Sequence, residues 1–354
     1  MKAATAAMAV AVVAAALATF GGGCSKKGSQ DQPQQVTVYM YSEYIDPALV
    51  ARFEERTGIK VRLDVYETTE DMMAKVKQSP GQYDVIVVSD HAIGVLAKLG
   101  ALGRLDLSRV PQAANVDERF VKPPYDPQGA YSLPYQWGTV GLVYRKDMAG
   151  YLEPTWAVLL DPDRQPGPVV LMDSMRDMMA AVLLYNGAPM NSRDPQQIRA
   201  AADTLIKAKT GKVLGFEGGV GGLKKVLAGE AVVAMAYNGD VLREADENVG
   251  YLLPREGSIV WVDAMTVSAA SRNLEAAYQF INFILEPANG ADLSNFNRYA
   301  TPNKASLPMI SDEDRGNPAI YPGPEASARL DYLVDVGEDT RLYDEAWTRM
   351  KARQ

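Results

Sequence analysis

The sequence predicts an α/β protein built from two domains. Strand-like apolar runs alternate with amphipathic helices over residues 36–108, which is typical of a doubly wound sheet. The run "YDVIVVSD" at 83–90 is apolar almost throughout, as expected of a parallel strand covered by helices on both faces. A chain of 354 residues is also long enough for two domains rather than one.

The first domain opens with a predicted β-α-β unit. Residues 36–41 predict a strand, Pro47 begins a helix that Gly58 ends, and a second strand follows at 59–66. Further helices are predicted at 69–79 and 92–101. Open α/β sheets bind ligands in the loops after the carboxyl ends of strands. Two such loops carry polar side chains, "SEY" at 42–44 and "SDH" at 89–91.

A second pattern begins near residue 131. The stretch 167–189 predicts a strand, a short turn and a helix rich in methionine. A strand at 231–237 is followed by "NGD", which predicts a turn at 238–240. After the apolar run 257–267, two helices are expected with a break at Pro287.

The N-terminal residues predict export. Residues 1–23 contain Lys2, an uncharged Ala/Val-rich stretch and small residues, which is the layout of a signal peptide. Cys24, the sole cysteine, follows Gly22 and Gly23 as in the lipobox of a bacterial lipoprotein, although Gly21 stands where leucine is usual. We therefore expect a lipidated Cys24 followed by a flexible tether over 24–35, with an ordinary cleaved signal as the alternative.

Composition limits the classes of function. The chain has 44 acidic and 36 basic residues and a formal charge of −8, which disfavours nucleic acid and is compatible with a cationic ligand. It has no His/Cys cluster for zinc and no calcium loop, so no metal or other cofactor is expected. His91 is the sole histidine, so a hydrolase or lyase would depend on it and a neighbour such as Asp90. We expect a binding protein rather than an enzyme.

One carboxylate stands out. In "GSIVWVDAMTV" at 257–267, Asp263 interrupts an apolar, β-branched strand and shares a face with Trp261. An ionised carboxylate in an apolar setting must find a cation, gain hydrogen-bond donors or stay protonated. The sequence leaves open whether a cation comes from the protein or from a ligand.

Eight segments in a fixed order extend over nearly all of the chain after the tether. They are "VYMYSEYIDPALVARFEERTGIKV", "YDVIVVS", "YSLPYQWGTVGLVY", "VVLMDSMRDMMAAVL", "GEAVVAMAYNGD", "SIVWVDAMTVSAASRN", "AAYQFINFILEPANGAD" and "RYATPN". Through these segments the sequence resembles the polyamine-binding (spermidine/putrescine) substrate-binding proteins of bacterial ABC importers.

This resemblance implies a two-lobe, type II periplasmic-binding-protein (Venus-flytrap) fold, in which each lobe is a sheet flanked by helices and the chain crosses twice at a hinge. The implied lobes are 36–142 with 262–307, and 143–261 with 308–354. The implied partners are a polyamine bound in the cleft and the membrane permease of an ABC transporter, with the protein itself a monomer.

The resemblance also implies a set of ligand-binding residues. They are Tyr41, Ser42, Glu43, Tyr44, Ser89, His91, Ser174, Asp177, Tyr237, Trp261, Asp263 and Tyr299. Several depart from the spermidine-type pattern. Tyr41 and Tyr237 replace tryptophan and His91 replaces tyrosine. Asp177 replaces glutamate and Ser174 an acidic residue, whereas Leu333 replaces a polar one.

Three functions remain open from the sequence. Because of these departures, a diamine is as compatible with the site as spermidine. A protein of the same fold could bind another cationic ligand, such as a cationic amino acid, an opine-like compound or a metal. A polyamine sensor that reports to a membrane receptor without transport would have the same sequence features.

Overall fold

The computed structural model describes residues 34–353. The predicted signal peptide and Cys24 lie outside the described residues. In the described part of the chain, no helix combines the length and apolar character that crossing a membrane requires.

Strands and helices alternate along the chain. The strands are β1 (Gln35–Tyr41), β2 (Lys60–Tyr66), β3 (Val85–Ser89), β4 (Leu102–Gly103), β5 (Ser132–Arg145), β6 (Val169–Met172), β7 (Val213–Glu217), β8 (Val233–Tyr237), β9 (Val249–Leu252), β10 (Ser258–Ser268) and β11 (Leu330–Asp331). The helices are α1 (Pro47–Thr57), α2 (Thr69–Gln78), α3 (Asp90–Lys98), α4 (Lys146–Ala149), α5 (Ala157–Leu160), α6 (Met175–Tyr185), α7 (Pro195–Ala208), α8 (Gly221–Leu227), α9 (Asn238–Glu244), α10 (Leu274–Ile284), α11 (Pro287–Asn297), α12 (Asp312–Arg315), α13 (Pro324–Ser327) and α14 (Thr340–Ala352).

Helix α1 begins and ends where its sequence predicts. The Asp46 side chain accepts a hydrogen bond from the Ala48 N–H at 2.8 Å, and Pro47 occupies the first helical position, where no N–H is needed. At the other end Gly58 adopts a left-handed φ of 72° and its N–H donates to the Glu54 carbonyl. Pro287 likewise opens α11 and separates it from α10, as expected.

The strands form one mixed sheet in the order β2-β1-β3-β10-β5-β8-β6-β7. Strands β1, β2 and β3 are parallel to one another, and so are β6, β7 and β8. Between these groups lie β5 and β10, which are antiparallel to each other. The carboxyl ends of both parallel groups carry polar loops, which is where such sheets bind ligands.

The two long strands join two lobes. Strand β10 pairs with β3 through Asp263–Val267, whereas β5 pairs with β8 through Val140–Tyr144. One hydrophobic core surrounds Phe53 in the first lobe, and a separate core surrounds Trp156 in the second. Trp261 packs against both cores. The two-lobe α/β fold expected from the sequence is confirmed.

Two local predictions were wrong. The segment "NGD" is not a turn but the first turn of α9, which follows β8 without a break. Asn238 supports this junction because its Oδ1 accepts from the Thr139 N–H and its Nδ2 donates to the Ala319 carbonyl, both at 2.9 Å. Asp90, expected at the end of a strand, is instead the first residue of α3.

The packing of α1 against α10 yields a test of the first core. Phe53 is fully buried, and its ring lies 5.4 Å from that of Phe280 and 5.3 Å from that of Phe283. We expect Phe53→Ala to lower the free energy of unfolding by about 3–5 kcal/mol, measured by denaturant titration. Phe296→Ala is the matched control, because Phe296 is 42% exposed. Equal losses in the two variants would contradict this description of the core.

Candidate functional site

The sequence-predicted site residues lie at strand ends that face one another across the two lobes. Tyr41 ends β1, Ser89 ends β3 and Tyr237 ends β8. The remaining predicted residues lie in the loop 42–44, at the start of α3, at the start of α6, on β10 and just after α11. Most of them surround Trp261 and Asp263, which lie side by side on β10.

Asp263 is buried, with 6% of its surface exposed, and it is held by hydroxyl groups. The Tyr44 hydroxyl donates to Oδ2 and the Ser89 hydroxyl donates to Oδ1, each at 2.7 Å. Within residues 34–353, no lysine, arginine or histidine nitrogen forms an ion pair with this carboxylate. The question raised by the sequence is therefore answered in part: the donors are hydroxyls, and the described part of the chain supplies no paired cation.

A chain of hydroxyls fixes the direction of these hydrogen bonds. Because the Ser89 hydroxyl donates to Asp263, it accepts from Tyr41, whose hydroxyl lies 3.0 Å away. Tyr41 in turn accepts from Thr69 at 2.8 Å. Burial, followed by the charge of Asp263, raises the pKa of Tyr41 to about 12. The chain therefore stays protonated at neutral pH and directs its donors at the carboxylate.

The ionised form of the Asp263 carboxylate is unfavourable in this buried position. Burial is the main cause that raises the pKa of Asp263 to about 6, and the nearby Asp90 charge adds to it. Hydrogen bonds from Ser89 and Tyr44 act in the opposite direction. An added cation beside Asp263 would remove this penalty.

Aromatic rings form a wall next to Asp263. Trp261 meets Tyr299 edge to face, with ring centroids 4.9 Å apart, and meets Tyr237 in the same way at 6.2 Å. Tyr44 lies 6.1 Å from Tyr299. The Trp261 Nε1–H is buried and has no hydrogen-bond partner among the described residues. This wall offers apolar faces and ring electrons to a ligand.

Two glycines leave room for the wall. A Cβ at Gly138 on β5 would overlap the Trp261 ring, and a Cβ at Gly239 in α9 would overlap the Tyr299 ring. Tyr299 is placed by the end of α11, where Arg298 takes a left-handed φ of 56° and Ala300 then bridges to Trp137. Local backbone geometry therefore sets where the rings stand.

A second carboxylate comes from the other lobe. Asp177 lies in the first turn of α6, where it accepts a hydrogen bond from Ser174, and the Tyr237 hydroxyl donates to it at 3.3 Å. Burial is the main cause that raises its pKa, opposed by the Ser174 hydrogen bond and the charge of His91. Ser174 thus supports Asp177 rather than replacing its charge.

Two further carboxylates were not predicted as site residues. Asp90, which the sequence suggested only for a hydrolase, accepts hydrogen bonds from the His91 N–H at 2.6 Å and the Val262 N–H at 3.1 Å. Asp240 lies beside the Tyr299 hydroxyl and 3.6 Å from Arg243, and burial is the main cause that raises its pKa. If "NGD" had been interpreted as the start of a helix that directly follows a strand, Asp240 would have been a candidate site residue.

Three positions that the sequence pointed to contribute less to this group of carboxylates and aromatic rings. Glu43 is exposed in the loop after β1, with a left-handed φ of 53°, and Ser42 beside it is half-buried. Leu333 is buried in the core of the second lobe, at 5% exposure. Asp263 and Asp177, by contrast, are joined to the aromatic wall through Tyr44 and Tyr237, respectively.

The chain is similar to known solute-binding proteins along most of its length. The family described as bacterial extracellular solute-binding protein matches residues 48–319. The spermidine/putrescine-binding periplasmic protein of Escherichia coli strain K12 is 31% identical over 326 residues, covering 91% of this chain and 93% of the relative. The putrescine/cadaverine-binding protein of Pseudomonas aeruginosa is 30% identical over 335 residues, covering 90% of this chain and 94% of the relative.

A solved structure shows the same fold. The spermidine/putrescine ABC transporter substrate-binding protein of Streptococcus pneumoniae has a TM-score of 0.82 and 28% identity to this chain, and the match covers 90% of this chain and 99% of that one.

The environment of Asp263 gives a test that needs no ligand. Folding raises the pKa of this carboxyl to about 6, so its contribution to stability is full below pH 4 and is lost as the pH rises through 6. Asp263→Asn avoids this loss. We expect the variant to gain about 3 kcal/mol relative to wild type between pH 4 and pH 8, measured by chemical unfolding of ligand-free protein.

Asp344→Asn, on the exposed face of α14, is the control for removal of one negative charge. If the Asp263→Asn variant showed no pH-dependent gain over wild type, the electrostatic description of the site would be wrong.

Proposed function

The chain belongs to the bacterial extracellular solute-binding protein family, and we propose that it captures a polyamine in its interlobe cleft and delivers it to an ABC import permease. The family consists of solute-binding transport proteins rather than enzymes. The observation that carries the proposal is the buried Asp263 carboxylate, which has two hydroxyl donors, no paired cation among residues 34–353 and an aromatic wall beside it.

A polyamine complements this site in both of its chemical parts. Its ammonium groups would form charge-assisted hydrogen bonds with Asp263 and Asp177. Its methylene groups would pack on Trp261, Tyr237 and Tyr299, where cation–π attraction adds about 0.5–2 kcal/mol for each good contact. A few such contributions reach micromolar affinity, about 8 kcal/mol, after the cost of ordering the ligand.

Binding favours closure, because the contacts come from both lobes. The proposal takes 36–142 with 262–307 as the first lobe, and 143–261 with 308–354 as the second. Asp263 would hold one end of the ligand in the first lobe and Asp177 the other end in the second. A ligand that binds the closed state more tightly shifts the population toward it, and the permease would recognise that state.

Export and anchoring complete the proposal. Both E. coli and P. aeruginosa relatives are named as binding proteins, the former as periplasmic. We place this chain outside the cytoplasmic membrane, with residues 1–23 removed, Cys24 lipidated and the residues from Cys24 up to the start of β1 at Gln35 as a tether to the membrane. The protein acts as a monomer and binds no nucleic acid.

A ligand panel tests the function, with Asp263 as the probe residue. Putrescine, spermidine and spermine should each raise the melting temperature of ligand-free protein, whereas arginine and lysine should not. Asp263→Asn should weaken polyamine binding by more than tenfold in calorimetry, because it removes the negative charge from a desolvated ion pair. Asp344→Asn should bind like wild type.

Different outcomes separate the alternatives. A shift with cationic amino acids or opine-like compounds alone would select the same fold with another ligand. Unchanged polyamine affinity in Asp263→Asn would refute the assigned site. Polyamine binding by a protein whose deletion leaves polyamine uptake intact would select a sensor over a transporter.

Lipidation has a separate test. Full-length protein expressed in a bacterial host should incorporate an alkyne-labelled fatty acid and fractionate with membranes. Cys24→Ser should lose both the label and the membrane association, since the sole cysteine of the chain is removed. Ser25→Ala should keep both. If the wild-type protein were released without label, an ordinary cleaved signal peptide would replace the lipoprotein proposal.

A further inference from the structure

Strand β2 forms an edge of the sheet, and this edge carries an inference about a partner. The strand pairs with β1 through all seven of its residues in one continuous register. Its other side has no strand partner among residues 34–353. The strand contains neither a proline nor a bulge, two features that commonly protect such an edge from pairing with another chain. A regular edge of this length can accept a further strand.

The free side of β2 presents backbone groups at Leu63 and Val65. The Lys60 N–H donates at 2.7 Å to the carbonyl of the residue before β1, so it points toward β1. Because successive residues of a strand direct their N–H groups to opposite sides, Val61, Leu63 and Val65 direct theirs away from β1. The Val61 N–H is already bonded to the Glu54 side chain of α1 at 2.8 Å. The N–H groups of Leu63 and Val65 are therefore the ones that face outward at this edge.

The side chains of β2 are apolar on one face and charged on the other. Leu63 is 38% exposed and Val65 is 55% exposed, and they share their face with Val61, which packs against the core of the first lobe. Arg62 and Asp64 share the opposite face, with the Arg62 Nε atom 3.4 Å from the Asp64 Oδ1 atom. Opposite charges therefore flank Leu63 along the strand.

A second copy of β2 complements this pattern. When two β2 strands pair antiparallel with Leu63 opposite Leu63 of the second copy, each Arg62 lies opposite an Asp64 and each Val61 lies opposite a Val65. A shift of two residues in one direction places Arg62 opposite Arg62, and a shift in the other direction places Asp64 opposite Asp64. Like charges directly opposite each other are destabilising, so the charges select one register.

The same register satisfies the outward backbone groups. The N–H and carbonyl of Leu63 bond to the carbonyl and N–H of Leu63 in the second copy. Each Val65 N–H donates to the Val61 carbonyl of the other copy. The Val61 N–H keeps its bond to Glu54 and needs no further acceptor.

We propose that β2 is a self-association surface, through which two copies of this chain pair antiparallel with Leu63 at the two-fold axis. The inference goes beyond the proposed function and does not depend on a ligand. The contact is confined to one strand from each copy, and complexes that bury less than about 1,200 Å² in total are weak and transient. The pair therefore forms at high protein concentration, and the dilute protein is a monomer.

Pairing bears on delivery through its geometry. Strands β1, β2 and β3 are parallel, and the candidate site lies at the carboxyl ends of β1 and β3. In an antiparallel pair, the carboxyl ends of these strands point in opposite directions in the two copies, so one permease can meet the site of only one copy. Under the proposed function, the single chain remains the form that delivers ligand, and the pair is a resting form.

Analytical ultracentrifugation tests the pairing in full-chain Cys24→Ser protein, which lacks the proposed lipidation site. This parent protein should shift from monomer toward dimer as its concentration rises to about 1 mM. Arg62→Glu places a carboxylate opposite each Asp64 and should weaken dimerisation by at least about tenfold. Adding Asp64→Lys to the same chain makes the charges complementary again and should return the dimerisation constant to within about threefold of the parent value.

A charge-matched variant controls for net charge. Arg341→Glu makes the same change of charge on α14, where 75% of the Arg341 side chain is exposed, and it should dimerise like the parent. A parent that stays monomeric throughout, or an Arg62→Glu variant that dimerises like the parent, would overturn the inference. Polyamine binding is measured on dilute protein, so either result leaves the proposed function standing.

Disulfide trapping tests the register. Opposed residues of a hydrogen-bonded antiparallel pair have Cα atoms about 5.5 Å apart, within reach of a disulfide. In the Cys24→Ser protein, Leu63→Cys should therefore form a linked dimer on oxidation with diamide. Val65→Cys should not, because the two Val65 positions lie about 13 Å apart along the strands, even though Val65 is more exposed than Leu63.

The opposite edge of the sheet supplies the control for trapping. Leu214 is 52% exposed on β7, and the pairing of β7 with β6 contains a register shift. Leu214→Cys should stay monomeric under the same oxidation. Equal yields of linked dimer from Leu63→Cys and Leu214→Cys, or from Leu63→Cys and Val65→Cys, would overturn the inference.

Discussion

The buried carboxylate of Asp263 is the constraint on which the rest of the candidate site depends. A carboxylate without a cation in a buried position raises the free energy of the folded protein. Two hydroxyl donors, Tyr44 and a Ser89 that is oriented by Tyr41 and Thr69, reduce this cost but leave the pKa at about 6. If a polyamine binds here as proposed, its ammonium group removes this remaining penalty and thereby contributes to the binding free energy. Affinity and stability are thus opposed at one side chain.

The two long strands, β5 and β10, connect the Asp263 carboxylate with both lobes. Strand β10 carries Asp263 and Trp261, and it pairs with β3 on one side and β5 on the other. Asp90, the first residue of α3, accepts a hydrogen bond from the Val262 N–H. This bond attaches to α3 the backbone between Trp261 and Asp263. Trp261 contacts the cores of both lobes, so a change in their relative position must alter its packing.

Much of this arrangement follows from local sequence rules. The Asp46 cap, Pro47 and Gly58 define α1, and the apolar run at 83–90 defines a covered parallel strand. Asp263 was identifiable because a charge in a β-branched strand violates a simple pattern. Its hydroxyl donors were not identifiable in that way, because Tyr44 lies 219 residues from Asp263 in the chain and only the fold brings them together.

Other features lay beyond sequence patterns for specific reasons. The segment "NGD" contains turn-forming residues, yet tertiary hydrogen bonds from Asn238 hold it as the start of a helix. That difference hid Asp240, which enters the site only when α9 begins at residue 238. The positions of His91, Asp177 and Asp263 also required the fold, since these residues come from three separate elements, α3, α6 and β10.

The glycines behind the aromatic wall have a consequence for how such a cleft changes its ligand. Gly138 and Gly239 lie directly against the rings of Trp261 and Tyr299, respectively. A single methyl group at either position would displace one of these rings. The shape of the aromatic wall can therefore be altered through residues behind its rings, and a search for variants with new size limits should include these two glycines.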